Sequence, residues 1–329
     1  MGFRTRRTTA LAVAGTAVAA LLAGCAGGGL SQGGGTSAAA GSLAAKTNLT
    51  GQTYTVGSKD FDEQLVLCEI TVAALESVGA TVNPKCNVGG SQATRDALLG
   101  GQIDMYWEYT GTAQVTYLGG KPIQDRQQQY DAVKTADLAK NKIAWLAPSA
   151  FNNTYAFAVS EAKAAELNLT TDSDMAAYYN KGGTGTTCVE SEFLVRDDGL
   201  PGFLPTYGFK LPGGQPTVLE TGAVYQATAD PTKCLFGEVF TTDGRIPALK
   251  LRVLKDDKTF EPLYNASLTV RQDVLAKNPA LADVMAPIAA ALTDEEMLKL
   301  NGRKSSENVP ERQVARDWLK EKGFIGAGA

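Results

Sequence analysis

Residues 53–88 read TYTVGSKDFDEQLVLCEITVAALESVGATVNPKCNV, and this stretch decides the fold class. Residues 53–57 alternate between polar and apolar side chains, which predicts a short strand, and residues 81–88 predict a second one. Between these strands, residues 62–78 predict a helix that ends at Gly79. Two strands joined through a helix form a βαβ unit, so the sequence predicts an α/β protein.

Helices and strands continue to alternate beyond this unit. The pattern of apolar residues predicts further helices at residues 92–99, 125–140, 160–167 and 223–229. It predicts further strands at residues 103–106, 155–159, 235–240, 251–254 and 268–270. After the last strand the pattern is essentially all helical, at residues 280–292, 294–300 and 310–322. A mixed middle followed by a helical return indicates two α/β lobes, with the chain crossing from one to the other and coming back.

The composition excludes several functional classes. The 329 residues include 31 Lys+Arg, 35 Asp+Glu and no histidine, so the chain is weakly acidic and is not expected to bind nucleic acid. The absence of histidine excludes Ser/His/Asp and Cys/His nucleophile arrangements, and also zinc sites that depend on histidine. Hydrophobic residues make up 44% of the chain, which is ample for a folded core.

The N-terminal residues have the layout of a bacterial secretory signal. Three arginines among the first seven residues precede an apolar stretch at residues 10–22, which is too short for a transmembrane helix. The small residues just before Cys25 resemble the lipobox of bacterial lipoproteins, in which the signal is removed and the cysteine is lipidated. We therefore expect residues 1–24 to be a signal peptide and Cys25 to carry a lipid. A plain signal peptide cut elsewhere is the alternative.

The next segment predicts a tether. Residues 25–50 begin with the lipidated cysteine and are then rich in Gly, Ser and Ala, a composition that cannot bury a core. No second apolar span follows in the sequence. We therefore expect a protein held at the extracytoplasmic face of the cell membrane by its lipid alone.

Four further cysteines, Cys68, Cys86, Cys188 and Cys234, favour disulfide bonds, because an exported protein with an even number of cysteines usually oxidises them. Three pairings are possible. We favour Cys68 with Cys86 and Cys188 with Cys234, since the first pair lies on a helix and on the strand that directly follows it. A metal site with four thiolate ligands is the alternative, but no C-x2-C spacing supports it, and no metal is expected.

Two short stretches place polar and aromatic residues where α/β proteins hold ligands. Residues 104–113 (DMYWEYTGTA) lead from a strand end to the start of a helix, and residues 151–155 (FNNTY) come just before and into another strand. Taken alone, each stretch is more typical of a capped turn beside core aromatics than of a ligand site.

Five motifs then occur in a fixed order along the chain: 57–64 (GSKDFDEQ), 108–112 (EYTGT), 151–155 (FNNTY), 192–199 (EFLVRDDG) and 241–246 (TTDGRI). Together they closely resemble the substrate-binding proteins of glycine betaine/choline-type ATP-binding cassette (ABC) importers. The resemblance continues to Val270 and Arg271 and covers nearly the whole folded body.

The resemblance implies a bilobal α/β fold of the periplasmic-binding-protein type (type II, Venus flytrap) with two interlobe crossings. Residues 51–150 together with 262–329 would form lobe 1, and residues 151–261 would form lobe 2. Such a protein is not an enzyme and needs no cofactor. It would act as a monomer that captures glycine betaine or a related quaternary ammonium compatible solute. It would deliver this small zwitterion or cation to the permease subunit of an ABC importer, which works with its ATPase.

The resemblance also assigns a binding site. A trimethylammonium group has no N–H to donate, so ring faces and shape must recognise it. Matching the motifs places the walls of an aromatic cage at Tyr109, Tyr155, Phe240 and Tyr264. It places Lys59, Thr112 and Arg196 around the carboxylate of the ligand, with Asn153 near the cage. Phe240 departs from the family pattern, which commonly has Tyr there, so the ring face is kept and a hydroxyl is lost.

Other functions compete with this interpretation. The same fold could bind choline, carnitine or ergothioneine, although choline lacks the carboxylate that Lys59 and Arg196 would contact. A secreted hydrolase could use acid pairs such as Asp62 with Glu63 or Asp197 with Asp198, but adjacent residues usually point in different directions. A surface lipoprotein with only a structural role would not bind a small molecule saturably.

Overall fold

The computed structural model describes residue 2 and residues 37–327. The predicted signal peptide and Cys25 lie outside the described residues, apart from residue 2. Ten strands in the described part of the chain form two five-stranded sheets. The strands are β1 (Thr53–Lys59), β2 (Thr81–Gly89), β3 (Met105–Tyr109), β4 (Ile143–Asn152), β5 (Tyr155–Ser160), β6 (Thr187–Val189), β7 (Thr217–Val218), β8 (Phe236–Phe240), β9 (Leu251–Val253) and β10 (Asn265–Arg271).

Fifteen α-helices and one π-helical segment, Ala113–Tyr117, accompany these strands in the same described residues. The helices are α1 (Ser37–Ala44), α2 (Asp62–Ser77), α3 (Ser91–Leu99), α4 (Thr110–Thr112), α5 (Arg126–Asn141), α6 (Glu161–Leu167), α7 (Asp172–Asn180), α8 (Ser191–Val195), α9 (Leu200–Tyr207), α10 (Thr221–Thr228), α11 (Arg245–Ala248), α12 (Gln272–Lys277), α13 (Ala280–Ala291), α14 (Asp294–Ser305) and α15 (Glu311–Glu321). No helix among the residues described is long and apolar enough to cross a membrane.

The sheet of lobe 1 has the order β2-β1-β3-β10-β4. Strands β1, β2 and β3 are parallel, whereas β10 runs antiparallel to both β3 and β4. The parallel part is the βαβ unit that the opening stretch of sequence predicts. Its helix, α2, is buried along most of its length because it packs between the sheet and the helices α13, α14 and α15.

The sheet of lobe 2 has the order β7-β6-β8-β5-β9, with β5 antiparallel to its neighbours β8 and β9. The chain enters this lobe between β4 and β5 and leaves it between β9 and β10, so it crosses twice. Each crossing brings a strand end to the boundary between the lobes. This places Tyr155, at the start of β5, directly beside Phe240, at the end of β8.

Strand β4 is an element that the sequence did not predict. Its sequence, IAWLAPSAFN, contains Pro148, which cannot donate a backbone hydrogen bond to a ladder. The structure accommodates this proline because β4 is the edge strand of its sheet, and the pairing with β10 is irregular around it. The short elements of lobe 2, namely α7, α8, α9, α11, β6 and β7, were not predicted either.

The structure pairs Cys68 with Cys86 and Cys188 with Cys234, with Cα atoms 6.0 Å and 5.8 Å apart. The first disulfide ties α2 to β2 in lobe 1. The second joins β6 to the segment that precedes β8 in lobe 2. Each lobe therefore has one internal crosslink.

Candidate binding cleft between the lobes

A cavity of about 860 Å³ lies between the two sheets. All eight side chains that the resemblance assigns to the ligand line this cavity: Lys59, Tyr109, Thr112, Asn153, Tyr155, Arg196, Phe240 and Tyr264. They come from both lobes and from the crossing segment at Asn153. The structure thus brings together residues that are up to 205 positions apart in the sequence (Lys59 to Tyr264).

Aromatic rings form one wall of the cavity. The ring centroid of Tyr155 lies 5.3 Å from that of Phe240 and 5.5 Å from that of Tyr264, and the Tyr155 and Tyr264 rings are nearly perpendicular. Phe61, which was not among the predicted residues, stacks on Phe240 at 5.1 Å and on Tyr109 at 6.2 Å. Phe61 therefore links Tyr109 to the other rings. Its position inside the GSKDFDEQ motif was the signal that could have identified it.

Backbone geometry brings Tyr264 into this wall. Strand β10 pairs with β3, and Tyr264 immediately precedes β10. Gly111 in α4 faces the Tyr264 ring so closely that a Cβ atom there would lie 2.8 Å from two ring carbons. Only glycine leaves room for this approach, which explains the glycine of the EYTGT motif.

Carboxylates hold two of the tyrosine hydroxyls. The Tyr109 hydroxyl donates to Glu63 Oε1 at 2.7 Å, and the Tyr264 hydroxyl donates to Asp198 Oδ2 at 2.6 Å. Burial, together with the nearby negative charge, raises the pKa of both phenols well above the usual value. Both tyrosines therefore keep their protons and act as donors, which fixes the orientation of their rings.

Glu63 is a central residue of the site that the sequence analysis did not assign to the ligand. Its two oxygens accept hydrogen bonds from Tyr109 at 2.7 Å, Asn153 at 2.9 Å, Thr242 at 2.5 Å and Asn301 at 2.8 Å. These four donors come from lobe 1, from the two crossing regions and from α14. Glu63 thus fastens the cage residue Tyr109 to both sides of the cleft.

The two predicted cations are each paired with an acid. Lys59 Nζ lies 2.7 Å from Glu108 Oε1, and both side chains are buried. Arg196 lies 2.6 Å from Asp198 Oδ2 and 3.5 Å from the Thr112 hydroxyl. The Lys59 ammonium is 5.0 Å from the Tyr109 ring centroid, which places it at the edge of the cage. Lys59 uses one of its three N–H donors on Glu108, so it can still bind a ligand carboxylate.

The cleft is closed by contacts between the lobes. Glu192 of lobe 2 accepts from the Ser91 backbone N–H at 2.6 Å and from the Ser91 hydroxyl at 2.8 Å, at the first turn of α3 in lobe 1. Burial opposes ionisation of Glu192, but the charges of Lys59 and Arg196 and the bonds from Ser91 outweigh it, so its pKa is lowered. Arg245 of lobe 2 pairs with Asp62 of lobe 1. These contacts depend on closure, because they join side chains from opposite lobes.

The carboxyl pairs considered for a hydrolase are not arranged for acid–base chemistry. Asp62 is engaged by Arg245, Asp198 is engaged by Arg196, and Glu63 accepts four hydrogen bonds. Glycoside hydrolysis needs two carboxyl groups facing one scissile bond, one of them free to give a proton. The geometry instead provides ring faces and polar groups that can hold a solute without reacting with it.

Comparison with known proteins gives a consistent result. Residues 52–321 match the family model described as the substrate binding domain of ABC-type glycine betaine transport system. The glycine-betaine-binding protein of Pseudomonas aeruginosa is 36% identical over 283 residues, which cover 84% of this chain and 90% of the relative. The glycine betaine-binding protein YehZ of Escherichia coli is 34% identical over 277 residues, covering 82% of this chain and 90% of YehZ.

The solved structure of a glycine betaine/carnitine/choline ABC transporter matches this chain with a TM-score of 0.69 and 27% sequence identity. The match covers 82% of this chain and 99% of that one. These similarities confirm the predicted two-lobed α/β fold.

Proposed function

The chain belongs to the family of substrate-binding domains of ABC-type glycine betaine transport systems, and on this premise we propose that it captures glycine betaine, or a closely related quaternary ammonium solute, in the cleft between its lobes. Proteins of this family bind a small solute outside the cytoplasm and work with a permease; they are not enzymes. The proposal concerns which solute is bound and which residues bind it.

The observation that carries the proposal is the ring wall beside a carboxylate-rich cavity. Tyr109, Tyr155, Phe240 and Tyr264 line one cavity, where they can surround a trimethylammonium group. Each well-placed ring contributes about 0.5–2 kcal/mol to cation binding. Several rings can therefore supply much of the ~8 kcal/mol that micromolar affinity requires.

Charge supports a solute with a positive group. Seven carboxylate residues and three cationic residues line the cavity among the residues described: Asp60, Asp62, Glu63, Glu190, Glu192, Glu220 and Asp243 against Lys59, Arg196 and Arg245. Burial raises the pKa of Glu63, Glu190 and Asp243, but the other four carboxylates alone outnumber the three cations, and an excess of negative charge favours a cationic group on the ligand.

The presence of Lys59 and Arg196 supports a carboxylate at the other end of the solute. We assign Thr112 to that carboxylate as well, and Asn153 to the region near the aromatic cage. A zwitterion such as glycine betaine fits this division better than choline, which has no carboxylate. Carnitine and ergothioneine also have a carboxylate and are the competing solutes.

We further propose how the protein is presented to its importer. The signal peptide at residues 1–24, the lipid on Cys25 and the tether that follows it would hold a monomeric two-lobed receptor close to the permease and its ATPase. The tether is shorter than the predicted residues 25–50, because residues 37–44 form α1 and Leu43 and Leu49 are buried in the core. The lobe boundaries, 51–150 with 262–329 and 151–261, are supported by the strands that each sheet contains.

Isothermal titration of the purified protein with glycine betaine, proline betaine, carnitine, choline and ergothioneine tests the proposal. We expect the tightest binding for a betaine and its loss in Tyr155→Ala. The matched control is Tyr155→Phe, which keeps the ring face and should keep most of the affinity. Absence of heat with every solute would contradict the quaternary ammonium assignment. Equal loss in both variants would show that the ring face of Tyr155 is not what binds the ligand.

A further inference from the structure

Three buried carboxylates beside the cleft hold tyrosine hydroxyls, but their charges are balanced differently. Glu108 holds the hydroxyls of Tyr106 and Tyr117 and is paired with Lys59. Asp198 holds the Tyr264 hydroxyl and is paired with Arg196. Glu63 takes part in none of the ion pairs within residues 37–327 and accepts only from uncharged donors.

The hydrogen bonds around Glu63 fit an ionised carboxylate. Asn153 Oδ1 accepts from the Thr242 backbone N–H at 3.2 Å, so the amide nitrogen of Asn153 must face Glu63. Asn301 Nδ2 also donates to the Thr242 carbonyl at 2.8 Å, which fixes the orientation of that amide as well.

Two amide donors and two hydroxyl donors therefore fill the acceptor positions of the Glu63 oxygens, and no bond requires a proton on the carboxyl group. The result is a carboxyl group that is fully hydrogen-bonded and 4% exposed, with no cation among the residues described to balance its charge. Burial raises the pKa of Glu63 and the four hydrogen bonds lower it, so a cation bound in the cleft would favour the ionised form.

The ligand is in position to supply that cation. Glu63 itself lines the cavity, and its bond to the Tyr109 hydroxyl connects it to the ring wall. A carboxylate that accepts from a phenol polarises the ring toward negative charge, since hydrogen-bonded groups in a low-dielectric site polarise one another. A cation beside Tyr109 would therefore be attracted electrostatically by both the ring and the carboxylate. A neutral group of the same shape would gain only van der Waals contacts.

We propose that Glu63 is the counter-charge of the bound cation: it positions Tyr109 and makes the cleft select a quaternary ammonium over an uncharged group of the same shape. This inference rests on the proposed function and names what sets the charge preference of that site. Glu63 acts through Tyr109 and is a positioning residue.

A pair of ligands that differ only in charge tests the inference. In 3,3-dimethylbutanoate a carbon atom replaces the quaternary nitrogen of glycine betaine, so the shape and the carboxylate are kept. The ratio of the two dissociation constants, measured by titration calorimetry, reports the preference for positive charge. We expect Glu63→Gln to reduce this ratio about tenfold or more, because the buried charge is weakly screened.

Asp60→Asn is the matched control. Asp60 is three residues away and lines the same cavity, but it is exposed, so removing the same charge there should change the ratio less than about threefold. If Glu63→Gln does not fold, as judged by circular dichroism, Tyr109→Phe replaces it. That variant breaks the bond between ring and carboxylate and should lower the ratio in the same direction by a smaller factor.

The outcomes separate the two proposals. If the unmodified protein binds no quaternary ammonium solute, the proposed function fails and the inference fails with it. If the unmodified protein binds glycine betaine but Glu63→Gln weakens both ligands equally, the proposed function stands and the counter-charge inference is overturned. A selective loss of glycine betaine affinity in Glu63→Gln, absent in Asp60→Asn, supports the inference.

Discussion

Several buried carboxylates of lobe 1 and lobe 2 differ in the partners that balance their charge. In lobe 1, Glu108 faces Lys59 and Asp137 faces Arg95, so these two buried carboxylates each have a cation beside them, whereas Glu63 has only uncharged donors among the residues described. In lobe 2, Asp172, Glu238 and Glu261 each have at least one buried carboxylate oxygen that has no hydrogen-bond partner among the residues described. The comparison contrasts two carboxylates of lobe 1 that an adjacent cation keeps ionised with three carboxyl groups of lobe 2 whose surroundings favour the protonated form.

Several buried acids of lobe 2 have raised pKa values. Burial raises the pKa of Asp172 to about 8 and that of Glu190 to about 7, and neighbouring carboxylates add to both shifts. Burial and the charge of Glu190 also raise the pKa of Glu238. Because a raised acid pKa means that the folded state binds protons more tightly, lobe 2 should gain stability as the pH falls.

The largest expected effect comes from breaking a balanced pair in lobe 1. Arg95→Met leaves Asp137 buried beside Trp145 and Asn141 with no cation. Removing one partner of a buried ion pair typically costs about 3–5 kcal/mol, so we expect a loss of this size in the free energy of unfolding, measured by urea denaturation at pH 7. The double variant Arg95→Met/Asp137→Leu is the control and should recover much of the loss. A single variant as stable as the unmodified protein would contradict the view that lobe 1 needs its cations.

The disulfides give a second comparison between the lobes, because each lobe has one disulfide and the two enclosed loops differ in length. The bond Cys68–Cys86 spans 18 residues and Cys188–Cys234 spans 46. Loop-closure entropy predicts a cost of about 3 kcal/mol for replacing the first pair by serine and about 4 kcal/mol for the second. Thermal unfolding of the two double variants measures this order.

The same variants separate stability from binding. Cys188 and Cys234 do not line the cavity, so their replacement should lower the melting temperature more than the affinity for a betaine. Equal damage to stability and affinity would show that the lobe 2 disulfide also shapes the cleft. The reverse order of stability losses would mean that native packing around each bond outweighs loop length.

Much of the fold could be predicted from the sequence, because local patterns encode it. The predicted strand at 53–57 and helix at 62–78 correspond to β1 (Thr53–Lys59) and α2 (Asp62–Ser77), since a regular apolar period reflects burial on one side. Strand β4 was missed, because its Pro148 is acceptable only at a sheet edge, and edge position is a property of the assembled sheet.

The candidate site, too, could be predicted only in part from the sequence. The ring residues could be assigned from ordered motifs, and the structure places them around one cavity; their role in binding stays a prediction. Glu63 could not be singled out, because its importance comes from Asn153, Thr242 and Asn301, which converge only in the folded chain. The pairing of Lys59 with Glu108 is also a tertiary feature, since 49 positions separate the two residues.

The smallest expected effect tests lobe 2 directly. Asp172 has a folded-state pKa of about 8, above its usual value near 4, so between these pH values the folded state binds more protons than the unfolded state. Stability contributed by Asp172 is therefore present at low pH and is lost as the pH rises toward 8. Asp256 and Asp257 face the same group and strengthen the effect, because their negative charges disfavour its ionisation.

Replacing Asp172 by asparagine removes this titration while keeping the size of the side chain. We expect Asp172→Asn to raise the free energy of unfolding at pH 8 by about 1–3 kcal/mol and to leave it little changed at pH 4.5, as urea titrations at both pH values would show. Asp137→Asn in lobe 1 is the informative counterpart: it removes a carboxylate that Arg95 needs, so it should destabilise the protein at pH 8. Opposite signs for the two substitutions follow from the opposite charge balance around Asp137 and Asp172. Destabilisation by both at pH 8 would mean that Asp172 is ionised in the folded protein and stabilised by its surroundings.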